Sequence, residues 1–218
     1  MPGGGFVMIV IVGLGNPGAD YEGTRHNCGH MVIDELCRRW GVSLKRIKGT
    51  KMQAAQIVIR GEKAWICQCE TFMNTSGDPV RRFLDYFHVD PTNLLVVHDD
   101  MDLAFGTLRM KRGGGEGGHN GLKSISQYLG TQDYMRLRVA IGRPHPGEDP
   151  AHYVLGHFPR AQHAEVERIV SEAAEAAEQV ITDGFLSAQQ KLNSAHPHHK
   201  DPKKSAQKTA QDSSASHQ

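Results

Sequence analysis

The sequence contains no run near the roughly 20 consecutive apolar residues of a membrane-spanning helix. Nor do basic residues precede the short apolar run at its N-terminus, as they do in a secretory signal. A cytoplasmic protein that meets no membrane is the expectation. Cysteine is scarce: Cys28, Cys37, Cys67 and Cys69 include no C-x-x-C pair, and the "CQC" of residues 67–69 sets two thiols on one face of a strand. Buried free thiols fit that pattern better than metal ligands. No serine or cysteine stands among partners that would make it a nucleophile, since Thr75 and Ser76 read as the start of a helix.

An excess of charge is missing too, with a formal net charge of +1, but the sum hides an asymmetry. Between Gly106 and Arg143 lie Arg109, Lys111, Arg112, Lys123, Arg136, Arg138 and Arg143, against only Glu116 and Asp133. Between Arg160 and Asp183 the acidic residues dominate. The first stretch is suited to phosphates and the second to solvent, although a basic stretch alone is also an ordinary solvated face.

What is present first catches the eye at "VGLGNPGADYEGTRH", where Gly13, Gly15 and Gly18 have the G-x-G-x-x-G spacing of a dinucleotide-binding turn. That fingerprint needs a helix opening at the glycines and an acidic residue ending a second strand about 20 positions on. Here Pro17, Gly23 and a polar cluster predict a loop instead, and Asp34 and Glu35 fall within a helical pattern marked by Val32, Leu36 and Trp40. An oxidoreductase is therefore the minor alternative.

Strand and helix patterns alternate along the chain. "AAQIVIR" and "KAWICQC" read as a hairpin, "NLLVVHDD" as a buried central strand, and "TLRMK" and "RLRVAIG" as two more strands with the helix "GLKSISQYL" between them. Val80, Phe83, Leu84 and Phe87 mark a helix, as do Val166, Ile169, Val170, Ala173, Ala177, Val180 and Ile181. The expected fold is α/β: a single domain with a mixed, mostly parallel central sheet covered by helices on both faces. Residues 1–7 form a short extension, 8–193 the domain, and 194–218 a polar tail too poor in apolar groups to order itself.

In open α/β sheets the ligand site forms beyond the carboxyl ends of the strands. Four loops of that kind carry chemistry: Asn16 and His26 after the first strand, Met73 and Asn74 after the hairpin, His98, Asp99, Asp100 and Asp102 after "LLVV", and His119 and Asn120 after the glycine run "RGGGEGGHNG". A histidine held by a carboxylate can take a proton from water near neutral pH, and asparagine amides can donate to a developing oxyanion. Attack of activated water on an acyl group is the simplest chemistry of this set. The close acidic residues of "HDDMD" also leave a divalent cation open as an alternative.

Five segments, "VGLGNPGADYEGTRHNCG", "TFMNTSG", "VVHDDMDLAFG", "KRGGGEGGHNGLKS" and "RLRVAIGRP", resemble the bacterial-type peptidyl-tRNA hydrolases in order and spacing, from about Met8 to about Leu192. The resemblance implies a monomeric enzyme of translation, phosphorylase/hydrolase-like in fold, that needs no cofactor or metal. It would cleave the ester between a peptide and the 3′-terminal adenosine ribose of peptidyl-tRNA, freeing the tRNA. It implies His26 as base and Asp99 as its partner, with Asn16, Tyr21, Met73, Asn74, His119 and Asn120 binding substrate. Lys111 and Arg138 would grip the 5′-phosphate region of the tRNA. On this reading Asp99→Asn is expected to slow the reaction less than loss of His26. Glu116 departs from the pattern, an acidic residue inside the glycine loop. A non-catalytic RNA-binding relative is the alternative of another class, and retention of His26, Asp99 and the three asparagines favours the enzyme.

Overall fold

The computed structural model describes residues 8–197; the expected extension 1–7 and all but the first four residues of the expected tail lie outside the described residues. The strands are β1 (Ile9–Gly13), β2 (Lys45–Ile47), β3 (Met52–Ile59), β4 (Glu62–Cys69), β5 (Leu94–Asp100), β6 (Leu108–Arg112) and β7 (Met135–Ala140). The helices are α1 (Cys28–Trp40), α2 (Gly77–Phe87), α3 (Asn120–Leu129), α4 (Pro150–Leu155), α5 (His163–Asp183) and α6 (Phe185–Ala195). The strands form one sheet in the order β2-β3-β4-β1-β5-β7-β6. β4, β1, β5 and β7 are parallel neighbours, while β3 runs against β4, β2 against β3 and β6 against β7.

The unbroken apolar character of β1 and β5 follows from that central place, because both of their faces are covered. Ile11, Leu95 and Val97 meet the core under α1 and α5, whereas Val10, Val12, Leu94 and Val96 meet the one under α2 and α3. Cys67 and Cys69 do share one face, and all four thiols are free. Three elements carried too little pattern to be read in advance. β2 has three residues, α4 six, and α6 is split from α5 by Gly184 at φ 79°. Asn193 on α6 accepts from the Met110 N–H at 2.9 Å and donates to its carbonyl at 3.0 Å, covering the edge of β6.

Two features of this frame set up the site. Gly13 and Gly29 lie so close that a Cβ on either would run into the other segment's backbone, so α1 seats directly on β1. This close packing, and not phosphate binding, is what Gly13 provides: no α-helix opens at the glycines, and α1 begins only at Cys28. The second feature corrects the expected placement of the glycine loop. β6 is antiparallel, so its carboxyl end lies at the amino end of β5, with Arg112 opposite Met135 and Met135 beside Leu95. Residues 113–119 must climb back along the sheet before His119 reaches the site.

Candidate active site

His26 and Asp99 are 73 positions apart in sequence and meet at the carboxyl end of β5. His26 sits in a 3-10 turn, Arg25–Asn27, that feeds straight into α1. Its Nδ1 lies 2.9 Å and 3.0 Å from the two Asp99 carboxylate oxygens. His119 approaches the same carboxylate from the other side, its Nε2 at 2.9 Å from Oδ1.

The hydrogen-bond partners fix the tautomers. His119 is the N-cap of α3, and its Nδ1 accepts from the amides of Gly121 and Leu122 at 3.1 and 3.4 Å. That nitrogen therefore carries no proton, and Nε2–H donates to Asp99. Asp99 is 4% exposed. Burial alone would raise its pKa, but the two facing histidines outweigh it and hold the carboxyl well below its usual range. An ionised Asp99 in turn calls for a donor at His26 Nδ1, which leaves His26 Nε2 as a free lone pair. Burial lowers the His26 pKa, while the charge of Asp99 and the hydrogen bond to it raise it, and the net direction is upward. His98 is buried and kept neutral, above all by desolvation, and its Nδ1–H donates to the Asp99 carbonyl at 2.7 Å.

Two histidines and a carboxylate this close also form a donor set for a transition metal, their candidate ligand atoms lying within 4.8 Å of one another. The cap on α3 opposes such use. A neutral imidazole bound to metal through His119 Nε2 would carry its proton on Nδ1, pointing at two backbone N–H donors. The residues present fit a metal poorly.

A cavity of about 750 Å³ opens over this cluster. Asn16, His26, Met73, Asn74, His119 and Asn120 all line it, together with Phe72, Gly117, Gly118 and the α4 wall of Pro150, Ala151, Val154 and Leu155. Asn16 is 7% exposed, and its Oδ1 accepts from the Met73 amide at 2.8 Å, so its Nδ2 remains as a donor. Asn27, unassigned in advance, holds it there through paired bonds to the Asn16 backbone at 2.9 Å. The Asn74 and Asn120 side chains make no hydrogen bond to protein among the described residues.

Three expected residues stand differently. Tyr21 is outside the cavity wall and meets Phe72 of that wall edge to face at 6.0 Å. Phe72, 54% exposed, is the aromatic that faces the opening. His119 lines the cavity with both ring nitrogens already engaged, so it holds Asp99 and offers no polar atom to a substrate. Arg138 lies outside the cavity, its Nε paired to Asp100 Oδ2 at 2.7 Å. Lys111 shares the face of β6 and β7 with Arg136 and Arg138, and desolvation with those two charges lowers its pKa. The wall from α4 was missed because six residues between Pro and Gly show no periodicity.

The family model for "Peptidyl-tRNA hydrolase" matches residues 10–202. The chain belongs to the peptidyl-tRNA hydrolase family. Peptidyl-tRNA hydrolase of Kineococcus radiotolerans is 46% identical over 190 residues, which cover 84% of this chain and 96% of that one. That of Rhodococcus opacus is 47% identical, covering 84% and 97%. Among solved structures, peptidyl-tRNA hydrolase from Acinetobacter baumannii superposes with a TM-score of 0.80 at 31% identity, covering 86% of this chain and 95% of that one. The expected family and fold class are both borne out. Among the described residues no helix is long and apolar enough to cross a membrane.

Proposed function

We propose that this enzyme hydrolyses the ester between a peptide and the 3′-terminal adenosine ribose of peptidyl-tRNA, with water activated by His26 and Asp99. The observation that carries the reading is the pair of histidines on Asp99, which leaves Nε2 of His26, a residue of the cavity wall, unengaged. His26 Nε2 takes a proton from water as the water oxygen adds to the ester carbonyl carbon. Asp99 stabilises the imidazolium so formed. Asn16 Nδ2 and the Asn120 amide donate to the oxyanion. On collapse the carbon–oxygen bond to the ribose breaks, and the imidazolium returns its proton to the leaving ribose oxygen. Met73 and Asn74 line the bed for the acyl chain. No step passes through a metal or cofactor. A monomer working in the cytoplasm is part of the same proposal.

The test is release of labelled N-acetyl-amino acid from N-acetyl-aminoacyl-tRNA in EDTA, beside unblocked aminoacyl-tRNA. Rapid cleavage of the blocked ester alone is expected. A folded protein that binds tRNA without cleaving it would instead be the RNA-binding relative, and metal-dependent cleavage would overturn the cofactor-free mechanism.

Lys111 and Arg138 are proposed to meet tRNA phosphate, supported by the shared face of their strands. Asp100 engages only the Nε of Arg138, which leaves both Nη groups to donate to phosphate. Lys111→Ala and Arg138→Ala are each expected to weaken tRNA binding and to reduce the slope of log affinity against log salt by about one. Single-turnover cleavage of saturating substrate should stay near normal. An unchanged salt slope in both variants would remove them from the interface.

A further inference from the structure

The acidic residue in the glycine loop has a structural partner set that the proposed mechanism does not use. Glu116 Oε1 accepts from Gln132 Nε2 at 2.7 Å, folding its carboxylate back toward the segment that enters β7. Next to it, Gly115 offers its carbonyl to Arg136 Nη1 at 2.8 Å. Arg136 is fully buried, and this is its one side-chain hydrogen bond among the described residues. Its guanidinium lies over the Tyr134 ring at 4.6 Å, and the Tyr134 hydroxyl is 3.0 Å from Ser126 Oγ on α3.

A buried cation that loses its acceptor costs far more than its other contacts return, so the bond from Arg136 holds the Gly115 carbonyl in place. Glu116, the next residue, makes no ion pair with Arg136 among the described residues; its carboxylate is held by Gln132, and hydrogen bonding keeps its carboxyl below the usual range despite desolvation. The loop needs such an anchor, because Gly113, Gly114, Gly117 and Gly118 all adopt positive φ and have no side chains to pack.

We infer that the Glu116–Gln132 and Gly115–Arg136 hydrogen bonds form a latch that fixes the returning glycine loop and so sets the positions of His119 and Asn120. Glu116 is a positioning residue. It acts through the two amides of Gly117 and Gly118 and the cap that follows, three positions from the nitrogen that holds Asp99. Its carboxylate is drawn toward Gln132. The inference rests on the proposed roles of His119 and Asn120.

Two readings of Glu116 predict opposite results. As a latch, Glu116→Ala lowers kcat on N-acetyl-aminoacyl-tRNA about tenfold with KM within twofold. Glu116→Gln, which keeps the hydrogen-bonding shape, recovers most of that loss. Amide exchange at Gly117 and Gly118 accelerates in the alanine variant and less in the glutamine one. As a mere repulsive charge, Glu116→Ala would lower KM for tRNA and leave kcat and exchange unchanged, which overturns the latch. Equal kcat loss in both variants also overturns it. Should Glu116→Ala not fold, Gln132→Leu removes the partner instead, and a normal kcat and normal exchange there count against the latch. His26→Ala measured alongside separates failure of the latch from failure of the underlying mechanism: activity surviving in that variant sinks the mechanism, whatever Glu116 does.

Discussion

Replacing His26 with alanine is expected to lower single-turnover cleavage of N-acetyl-aminoacyl-tRNA by about 10³-fold, within the usual span for removal of a general base. Melting temperature and tRNA affinity should change little. The neighbouring histidines cannot take over, although both lie near: the ring centroids of His26 and His119 are 5.0 Å apart, and those of His98 and His119 5.1 Å. His119 has one nitrogen on Asp99 and the other on the start of α3. His98 is buried, with its Nδ1 committed to the Asp99 carbonyl. Only His26 combines a carboxylate on one nitrogen with an unengaged nitrogen in a residue that lines the cavity. Loss of less than tenfold in a folded variant would show that another group removes the proton.

The pH dependence follows from the same pair. The base must be neutral at Nε2, and the folded pKa of His26 lies above 6.5. The acid limb of kcat/KM is therefore expected above pH 6.5, with activity rising as pH passes through the raised value.

Sequence reached most of this site because its residues sit where strand direction and loop chemistry can be read locally. β1, β4 and β5 are long enough to show their period, and Asn16, Asn74 and Asp99 fall at or just beyond their ends. The His26–Asp99 pair was legible, but other contacts between segments escaped. The direction of β6 relative to β7 is a pairing property, so sequence puts the glycine loop at the wrong end of the sheet. The pairing of Arg138 with Asp100 joins neighbouring strands 38 positions apart in sequence. The two-sided grip on Asp99 was hidden for the same reason. His119 reads as one more polar loop residue until α3 shows that its Nδ1 is a helix cap.

That grip changes what Asp99→Asn should do. Read from the sequence, the substitution leaves the histidine in place and weakens it moderately. In the structure, Asp99 Oδ1 accepts from both His26 Nδ1–H and His119 Nε2–H, and Oδ2 accepts from His26 alone. An asparagine must put its NH₂ at one of those two positions. At Oδ1 it would meet the His119 N–H, which cannot reverse without losing the α3 cap. The amide therefore turns its oxygen to Oδ1 and its NH₂ toward His26. Nδ1 then becomes the acceptor, the proton moves to Nε2, and the nitrogen facing substrate is no longer a base. Asp99→Asn is expected to cost about 10³–10⁴-fold in kcat, as a wrong tautomer does elsewhere, and thus to rival the loss of His26 itself. The residual activity carries a second signature. With the carboxylate charge gone, the groups that raise the His26 pKa disappear while burial, which lowers it, remains. The acid limb should move from above pH 6.5 to below it. A variant that loses activity with its acid limb unmoved would mean that Asp99 does not set the proton on His26. A variant that loses less than tenfold would mean that His119 gives up its cap more easily than the geometry of α3 implies.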